Sequence, residues 1–406
     1  MNCGSLPDGK AAVPNRIDDA LFRLALNALD GKADKPAVVS PFSIGVALAM
    51  VNVGAEGKTS QQISDAVFDG ISKEVMTAWF RRILESLTMS IEKPANDIPE
   101  YLSKAYGGYF GNECDPLTMA SALFFAKELQ LKEPFKSSIM ENFSATVDQL
   151  DFKQDPAAQV KKLNNFVEKA TKGKIRNVFN VGVINEETTA VIVNAMHLKM
   201  NFRAQFRGEN TRKENFHNED ATTKKVLMMH GTQRGHFFED GLFAFASLPF
   251  AHGFDGFDFF FVVPKSGRLS DLKTKFCTSK RSFSSTIEAG ERCEFIDVTI
   301  PKFKTEASFD LKAMLKNLGM TEVFSESRSD LSGMHFAVEG FPLYVRHIIQ
   351  KALFEINELG VEAAAVTYVR LSGGGRMPDP KVIKADKPFL YGVTYCGVPL
   401  FVGQHY

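Results

Sequence analysis

Three segments of the chain have apolar residues at helical spacing, and each predicts a helix. Residues 21–28 follow the acidic Asp18 and Asp19, as is typical of a helix N-terminus. Residues 43–53 are almost all apolar and follow Ser40-Pro41, so this helix must be buried on most sides. Residues 160–170 carry a lysine-rich outer face. A solvated helix surface explains these lysines more simply than a binding site for a polyanion.

Strand patterns dominate the rest of the chain. Residues 257–263 are apolar on both faces, so they belong in a covered sheet. Two segments, 91–115 and 372–386, are predicted as loops, and the second contains a triple glycine and two prolines between strong strand patterns. The predicted strands are 188–198, 227–238, 243–248, 257–263, 295–300, 343–356 and 389–402.

Composition excludes several classes of partner. The 406 residues suggest two or three domains. Basic and acidic side chains balance at 48 each, which argues against a dedicated nucleic-acid binder. No apolar run approaches the roughly 20 residues that cross a bilayer, so no membrane span is predicted. The first residues do not resemble a secretory signal, so we expect a cytoplasmic or nucleocytoplasmic protein, or an extracellular one if a leader was removed or export is unconventional.

Residues that could carry chemistry are scattered. The five cysteines are widely spaced and contain no CxxC pair, which indicates reduced thiols. The eight histidines include no pair at helical metal-ligand spacing, and we interpret them as surface or hydrogen-bonded core residues. The sequence therefore predicts no metal site and no catalytic constellation of its own.

The segment from Glu358 to the triple glycine has an unusual pattern. With a period of two, one face is apolar or small throughout, and the other carries the charges and a tyrosine. A plain hairpin turning at residues 358–360 is one interpretation. The three consecutive alanines favour another, because they are poor strand formers but suit a segment that slides into a narrow slot. The buryable face comprises Val361, Ala363, Ala365, Thr367, Val369 and Leu371.

At these residues the chain resembles the serpin family, and the resemblance runs from about Ile17 to Tyr406. It implies an α/β fold of three β-sheets and eight or nine helices, with residues 1–406 forming a single cooperative domain and an exposed reactive loop at about 358–386. Seven segments in matching order carry the resemblance: 38–59, 193–202, 298–324, 329–334, 351–365, 385–393 and 399–406.

The resemblance also implies a function. A serpin inhibits a serine protease as a suicide substrate: the protease cleaves the reactive loop, an acyl-enzyme forms, and the loop inserts as a new strand into the central sheet. The expected partner is an elastase-like or trypsin-like serine protease, or a papain-like cysteine protease. No cofactor is implied, and a monomer is expected. The alternative from a different class is a non-inhibitory serpin that acts as a binding or chaperone-like protein.

A hinge at the start of the loop matches the inhibitory members of the family. Glycine lets the chain reverse, and small side chains pass between strands without forcing them apart. Val361 departs from the usual threonine or serine but is uncharged, so we expect insertion to survive. The hinge residues are Glu358, Gly360, Val361, Ala363, Ala364 and Ala365.

Six further positions correspond to the regions that open to admit the loop, called the shutter and the breach; four of them match the family residue and two depart from it. Gln350 stands where the family has a histidine, and Phe202 where a tryptophan is usual. Lys302 matches the lysine that pairs with the hinge glutamate, here Glu358. The shutter residues are Ser40, Ser43, Asn194 and Gln350, and the breach residues are Lys302 and Phe202.

Two positions compete for the bond that the protease attacks. Family spacing from Glu358 reaches Gly374-Gly375, which suits an elastase-like pocket for small residues. Arg376-Met377 suits a trypsin-like enzyme better but lies two residues late. Both candidates stay open at this point.

Overall fold

The computed structural model describes residues 12–91, 117–180, 182, 184–251, 255–278, 282–338, 342–361 and 379–406, with the side chains of 12–15, 91 and 361 left undescribed. Nine α-helices lie in these ranges, in agreement with the eight or nine expected. They are α1 (Ala12–Asp30), α2 (Pro41–Gly54), α3 (Gly57–Phe68), α4 (Lys73–Ile91), α5 (Glu133–Phe143), α6 (Pro156–Ala170), α7 (Leu269–Thr278), α8 (Phe283–Glu288) and α9 (Lys312–Asn317).

Helix α2 forms where the apolar pattern predicts it. Ser40 is the N-cap, and its hydroxyl accepts a hydrogen bond from the Ser43 amide at 3.3 Å. Pro41 occupies the first turn, where its missing N–H costs nothing. All of α2 except Val53 is buried, which confirms the prediction of a helix covered on most sides.

The eighteen strands of the described residues form three sheets. Their bounds are β1 (Ala37–Val39), β2 (Leu117–Ala126), β3 (Gln130–Leu131), β4 (Thr146–Leu150), β5 (Ala190–Leu198), β6 (Met200–Asn201), β7 (Arg212–His217), β8 (Thr223–Glu239), β9 (Phe243–Pro249), β10 (Phe257–Pro264), β11 (Glu291–Pro301), β12 (Phe303–Asp310), β13 (His335–Phe336), β14 (Ile348–Asn357), β15 (Gly360–Val361), β16 (Lys381–Lys384), β17 (Phe389–Tyr395) and β18 (Val398–His405).

The seven-stranded sheet, which we call the central sheet, has the order β4-β2-β5-β14-β15-β6, with β12 also paired to β14. A nine-stranded sheet has the order β1-β18-β17-β10-β9-β8-β11-β16, with β7 on β8, and β3 and β13 form a third, small sheet. The two large sheets pack through aromatic rings: Phe354 of β14 lies 6.2 Å from Phe259 and 6.3 Å from Phe401. Helix α6 covers the other face of the central sheet, where Phe166 contacts Phe124 at 5.4 Å.

Nearly all the buried apolar residues in the described ranges belong to one core. The cluster includes Ile17 of α1 and Tyr406 at the end of the chain. The chain is therefore a single α/β domain, and the expectation of two or three domains from length alone is wrong. A length-based estimate fails here because the two large sheets share one set of aromatic contacts.

Two strand predictions and one loop prediction need correction. Residues 343–347 are not in a strand, and β14 begins only at Ile348, because pairing with β5 starts there. The predicted strand 389–402 is two strands, β17 and β18, separated by a turn in which Cys396 and Gly397 have positive φ. The predicted loop 372–386 contains strand β16, which pairs in parallel with β11. The predicted loop 91–115 lies outside the described residues, apart from Ile91.

None of the helices in the described ranges has the length and apolar character to span a bilayer.

Candidate functional site

The centre of the candidate site is the seam between β5 and β14. These two strands are parallel neighbours, and Ile348 to Ala352 pair with Ile192 to Met196. Their other partners in the sheet, β2 on β5 and β12 and β15 on β14, are antiparallel. The direct pairing stops at Ala352 and Met196. We call the directly paired residues the lower part of the seam, and the part beyond them, towards β15, the upper part.

A buried hydrogen-bond network ties the lower seam to the start of α2. Gln350 Nε2 donates to the Ser40 carbonyl and to Ser43 Oγ, both at 2.7 Å, and Gln350 Oε1 accepts from the Ser40 amide at 3.1 Å. Asn194 Nδ2 donates to the Ser43 carbonyl at 2.7 Å and to Ser121 Oγ at 3.3 Å. The structure therefore brings together all four predicted shutter residues, and Ser121 is a fifth member that the sequence did not suggest.

Gln350 suits this position because its amide both donates and accepts. A side chain that only donates would leave the Ser40 amide unsatisfied in the core, whereas the Ser40 carbonyl also accepts from the Ile44 amide at 3.1 Å. Gln350 is 2% exposed and Ser40 is 1% exposed, so water cannot replace the missing bond.

The upper seam is occupied by the chain that leads into the loop. Gly360 pairs with Asn357 of β14 on one side and with Asn201 of β6 on the other, and Val361 pairs with Ile356 and Met200. The strand β15 is antiparallel to both neighbours. The hairpin turn, which was one interpretation of residues 358–360, is thus present at Glu358 and Leu359, and the backbone of Gly360 and Val361 after it lies between two strands.

Gly360 is required by this close approach. Its φ is +151°, and a Cβ at this position would lie 2.2 Å from the Met200 carbonyl oxygen and 2.6 Å from the Asn201 Cα. Backbone atoms cannot move aside as a flexible side chain can, so only glycine fits here.

The backbone next to the turn is also hydrogen-bonded across the seam. The Phe202 amide donates to the Leu359 carbonyl at 2.8 Å, and the Phe206 amide donates to the Glu358 carbonyl at 2.7 Å. These bonds fix the direction in which the chain leaves β14.

A single ion pair lies above this turn. Lys302 Nζ is 2.9 Å from Glu358 Oε2, so the structure brings the predicted pair together. Burial opposes ionisation of Glu358, but the hydrogen bond from Lys302, helped by Thr211 and the local backbone, holds its pKa below the usual value. Since 41% of the Lys302 side chain is exposed, the pair stabilises the turn only modestly.

Phe202 anchors an aromatic cluster beneath the turn. Its ring stacks on Phe250 with a centroid distance of 5.7 Å and an interplanar angle of 4°, and it meets Phe206 and Phe259 edge-on, each at 5.7 Å. Phe202 is 2% exposed. Phe206 and Phe250 were not predicted as part of the site, because they come from irregular or edge backbone with no periodic pattern.

The remaining predicted site residues lie outside the described ranges. They are Ala363, Ala364 and Ala365 of the hinge and the reactive-bond candidates Gly374, Gly375, Arg376 and Met377. The side chain of Val361 is also undescribed.

The described part of the chain contains no group of three or more metal-ligating side chains that could hold an ion.

The sequence matches the family model described as Serpin (serine protease inhibitor) over residues 17–406. Serpin B4 of Homo sapiens is 32% identical over 337 residues, which cover 81% of this chain and 82% of the relative. The serine protease inhibitor of Cyanea capillata is 30% identical over 371 residues, 88% of each chain.

Solved structures have the same fold. Serpin48 of the insect Tenebrio molitor superposes with a TM-score of 0.78 at 25% identity, covering 99% of both chains. Human thyroxine-binding globulin superposes with a TM-score of 0.75 at 23% identity, covering 97% of this chain and 98% of that one. With three sheets, nine helices in the described ranges and a family match over nearly its whole length, the chain belongs to the serpin family.

Proposed function

We propose that this protein inhibits a serine protease as a suicide substrate. The observation that carries the proposal is the position of Gly360 and Val361, whose backbone lies between β14 and β6 at the top of the β5–β14 seam. A chain that continues in this direction runs into the seam, as an inserted reactive loop must.

Strand direction supports insertion. The seam joins two parallel strands, while β15 is antiparallel to both its neighbours. A loop inserted along the whole seam replaces one parallel ladder with two antiparallel ladders, which are slightly more stable per residue. Insertion therefore adds backbone hydrogen bonds, and this gain supplies the driving force.

The chemistry comes from the protease. Its serine hydroxyl attacks the carbonyl carbon of the scissile bond, the new amino terminus leaves with the far side of the loop, and an ester links protease and inhibitor. Insertion then carries the ester-linked protease away from the top of the sheet before water hydrolyses it. In this proposal the protein has no catalytic centre of its own and needs no cofactor.

The expected target is an elastase-like or trypsin-like serine protease, with a papain-like cysteine protease as the other class. Cleavage at Gly374-Gly375 would indicate an elastase-like target, and cleavage at Arg376-Met377 a trypsin-like one. Mass spectrometry of the peptide released by elastase and by trypsin distinguishes the two bonds.

We also propose a monomer in a reducing compartment. Cys277 and Cys293 are free thiols, and burial raises the pKa of each, which keeps them protonated and unreactive.

The test replaces Val361 with a charged residue. Val361→Arg places a cation in the seam, where burial is costly, so insertion should slow and the protein should become a substrate. We expect the wild type to form a protease complex that survives denaturing electrophoresis, and Val361→Arg to yield only cleaved chain.

Val361→Thr is the matched control, because threonine is similar in size and uncharged, and it should retain the complex. Melting temperatures of intact and loop-cleaved protein give an independent measure, since insertion should raise the second. If no protease of either class forms a complex and cleavage does not raise the melting temperature, the protein is a non-inhibitory serpin that acts by binding.

A further inference from the structure

His405, near the end of β18, is enclosed by aromatic rings from three other strands. Its ring lies 4.4 Å from Phe303 of β12, 5.2 Å from Phe216 of β7 and 5.3 Å from Phe389 of β17. The residue is 7% exposed. Through its contact with Phe303, His405 of the nine-stranded sheet therefore packs against β12, the edge strand of the central sheet.

Neither ring nitrogen of His405 has a hydrogen-bond partner among the described residues. This differs from the expectation that every core histidine is hydrogen-bonded, and it is unusual, because buried polar groups are nearly always paired. A neutral imidazole can be accommodated here as one more ring in the cluster. An imidazolium cannot, because it would lose its hydration without gaining an acceptor.

The charges around His405 make protonation still less favourable. Lys224 of β8 lies with Nζ 4.9 Å over the Phe216 ring, and it donates a hydrogen bond to the Tyr406 carbonyl oxygen. Burial, with a further contribution from the Lys224 charge, lowers the pKa of His405 to about 3. The neighbouring phenols of Tyr391 on β17 and Tyr406 offer no negative charge, because burial raises the pKa of each.

We propose that His405 makes the native fold acid-sensitive: at mildly acidic pH the unfolded chain binds a proton at His405 that the packed junction of β12 with β7, β17 and β18 excludes, so the folded state loses stability. The junction is next to the hinge, because Phe303 directly follows Lys302 and pairs with Ile356, two residues before Glu358. This inference does not depend on protease inhibition, since it concerns the stability of the folded chain.

The direction of the pH effect follows from proton binding in the two states. In the unfolded chain a histidine titrates near pH 6.5, so below about pH 6.5 the unfolded state binds a proton that the folded state excludes. The stabilisation is therefore present above about pH 6.5 and is lost as the pH falls from there towards 3. Within that window the unfolding equilibrium constant rises by up to about tenfold for each pH unit.

The test compares urea unfolding of the full chain at pH 8 and pH 5. His405→Phe keeps an aromatic ring in the cluster but removes the titrating group. Between these two pH values we expect the unfolding equilibrium constant of the wild type to increase about 30-fold more than that of His405→Phe. The control is His217→Asn, which removes an exposed histidine of β7, the strand that carries Phe216, and should keep the wild-type pH dependence.

If the unfolding equilibrium constants of the wild type and of His405→Phe change by the same factor between pH 8 and pH 5, the proposal is overturned. If His405→Phe does not fold, His405→Met serves as the second variant with the same expected difference. The ring proton signals of the histidines in the intact protein give an independent measurement. The His405 signals should stay in the neutral state down to pH 5, and a titration near pH 6.5 in the folded protein would also overturn the proposal.

Discussion

The two halves of the seam between β5 and β14 are held by different physical means. The lower half is a continuous parallel ladder from Ile348 to Ala352. The buried amide of Gln350 ties this ladder to Ser40 and Ser43 by hydrogen bonds. The upper half has no direct ladder, and the chain at Gly360 lies between the strands there.

The lower half of the seam therefore resists opening more strongly than the upper half. Opening the lower half breaks at least three hydrogen bonds of Gln350 in a place that water does not reach, so the cost is high. The upper half is held by a partly exposed ion pair, stacked rings and a few backbone bonds, so extending β15 costs less there. An inserting loop should therefore start at the top and meet its main barrier at Gln350.

The largest effect should come from breaking the lower half. Gln350→Leu leaves the Ser40 amide without its partner in the core and removes the bonds to the Ser40 carbonyl and Ser43 Oγ, so we expect the free energy of unfolding to fall by about 2–4 kcal/mol. Urea unfolding at pH 7 measures it. Gln61→Leu is the control, because Gln61 is exposed and its amide bonds only Asp65 on its own helix. A loss below about 0.5 kcal/mol for Gln350→Leu would mean that the network does not hold the seam.

An intermediate effect should come from removing the chain from the upper half. Gly360→Ala adds a methyl group 2.2 Å from the Met200 carbonyl oxygen, so β15 must leave its place or strain the sheet. We expect a loss of about 1–3 kcal/mol in unfolding free energy. We also expect faster hydrogen exchange of the Phe202 amide, which donates to Leu359, while Ala352 in the lower half stays protected.

Gly208→Ala is the control for this substitution, because a Cβ at Gly208 meets nothing within 4 Å. Unchanged exchange at Phe202 in Gly360→Ala would show that the close approach does not restrict the hinge.

The smallest effect should come from the ion pair. Lys302→Met removes the partner of Glu358, and we expect a loss of no more than about 1 kcal/mol, reduced further by added salt. Because the folded-state pKa of Glu358 is lowered, its contribution is present above about pH 4.3 and is lost as the pH falls through the folded value. The difference between variant and wild type should therefore shrink at acidic pH.

Lys304→Met is the matched control, since Lys304 of β12 lies two residues after Lys302 and pairs with Glu355 of β14 at 3.2 Å, away from the turn. Both variants should lose a similar small stability, and only Lys302→Met should speed exchange at Phe202. Equal exchange in the two variants would remove any special role for the Lys302 pair.

Local sequence predicted the parts of the fold that depend on neighbouring residues. The apolar character of α2 and the covered strand at 257–263 follow from short-range spacing, and the structure has both of them. Strand ends were less predictable. The segment 343–347 has strand-like residues but no strand beside it, and β16 is a strand only because β11 is available as a partner.

The candidate site shows the same division. Ser40, Ser43, Asn194 and Gln350 were proposed by resemblance to a family, since no local pattern relates Ser40 to Gln350, 310 residues away. Ser121, Phe206 and Phe250 were missed because their roles depend on which strands become neighbours.

By itself, the sequence determined the helical and strand periodicities, the glycine at the turn and the small residues that follow it, because these depend on the chemistry of adjacent side chains. Only the tertiary structure decided that Gln350 meets Ser40, that Gly360 enters between β14 and β6, and that His405 lies among aromatic rings with no hydrogen-bond partner in the described ranges. Each of these depends on strands distant in sequence meeting at hydrogen-bonding or van der Waals distance, and the packing of the whole domain sets those distances.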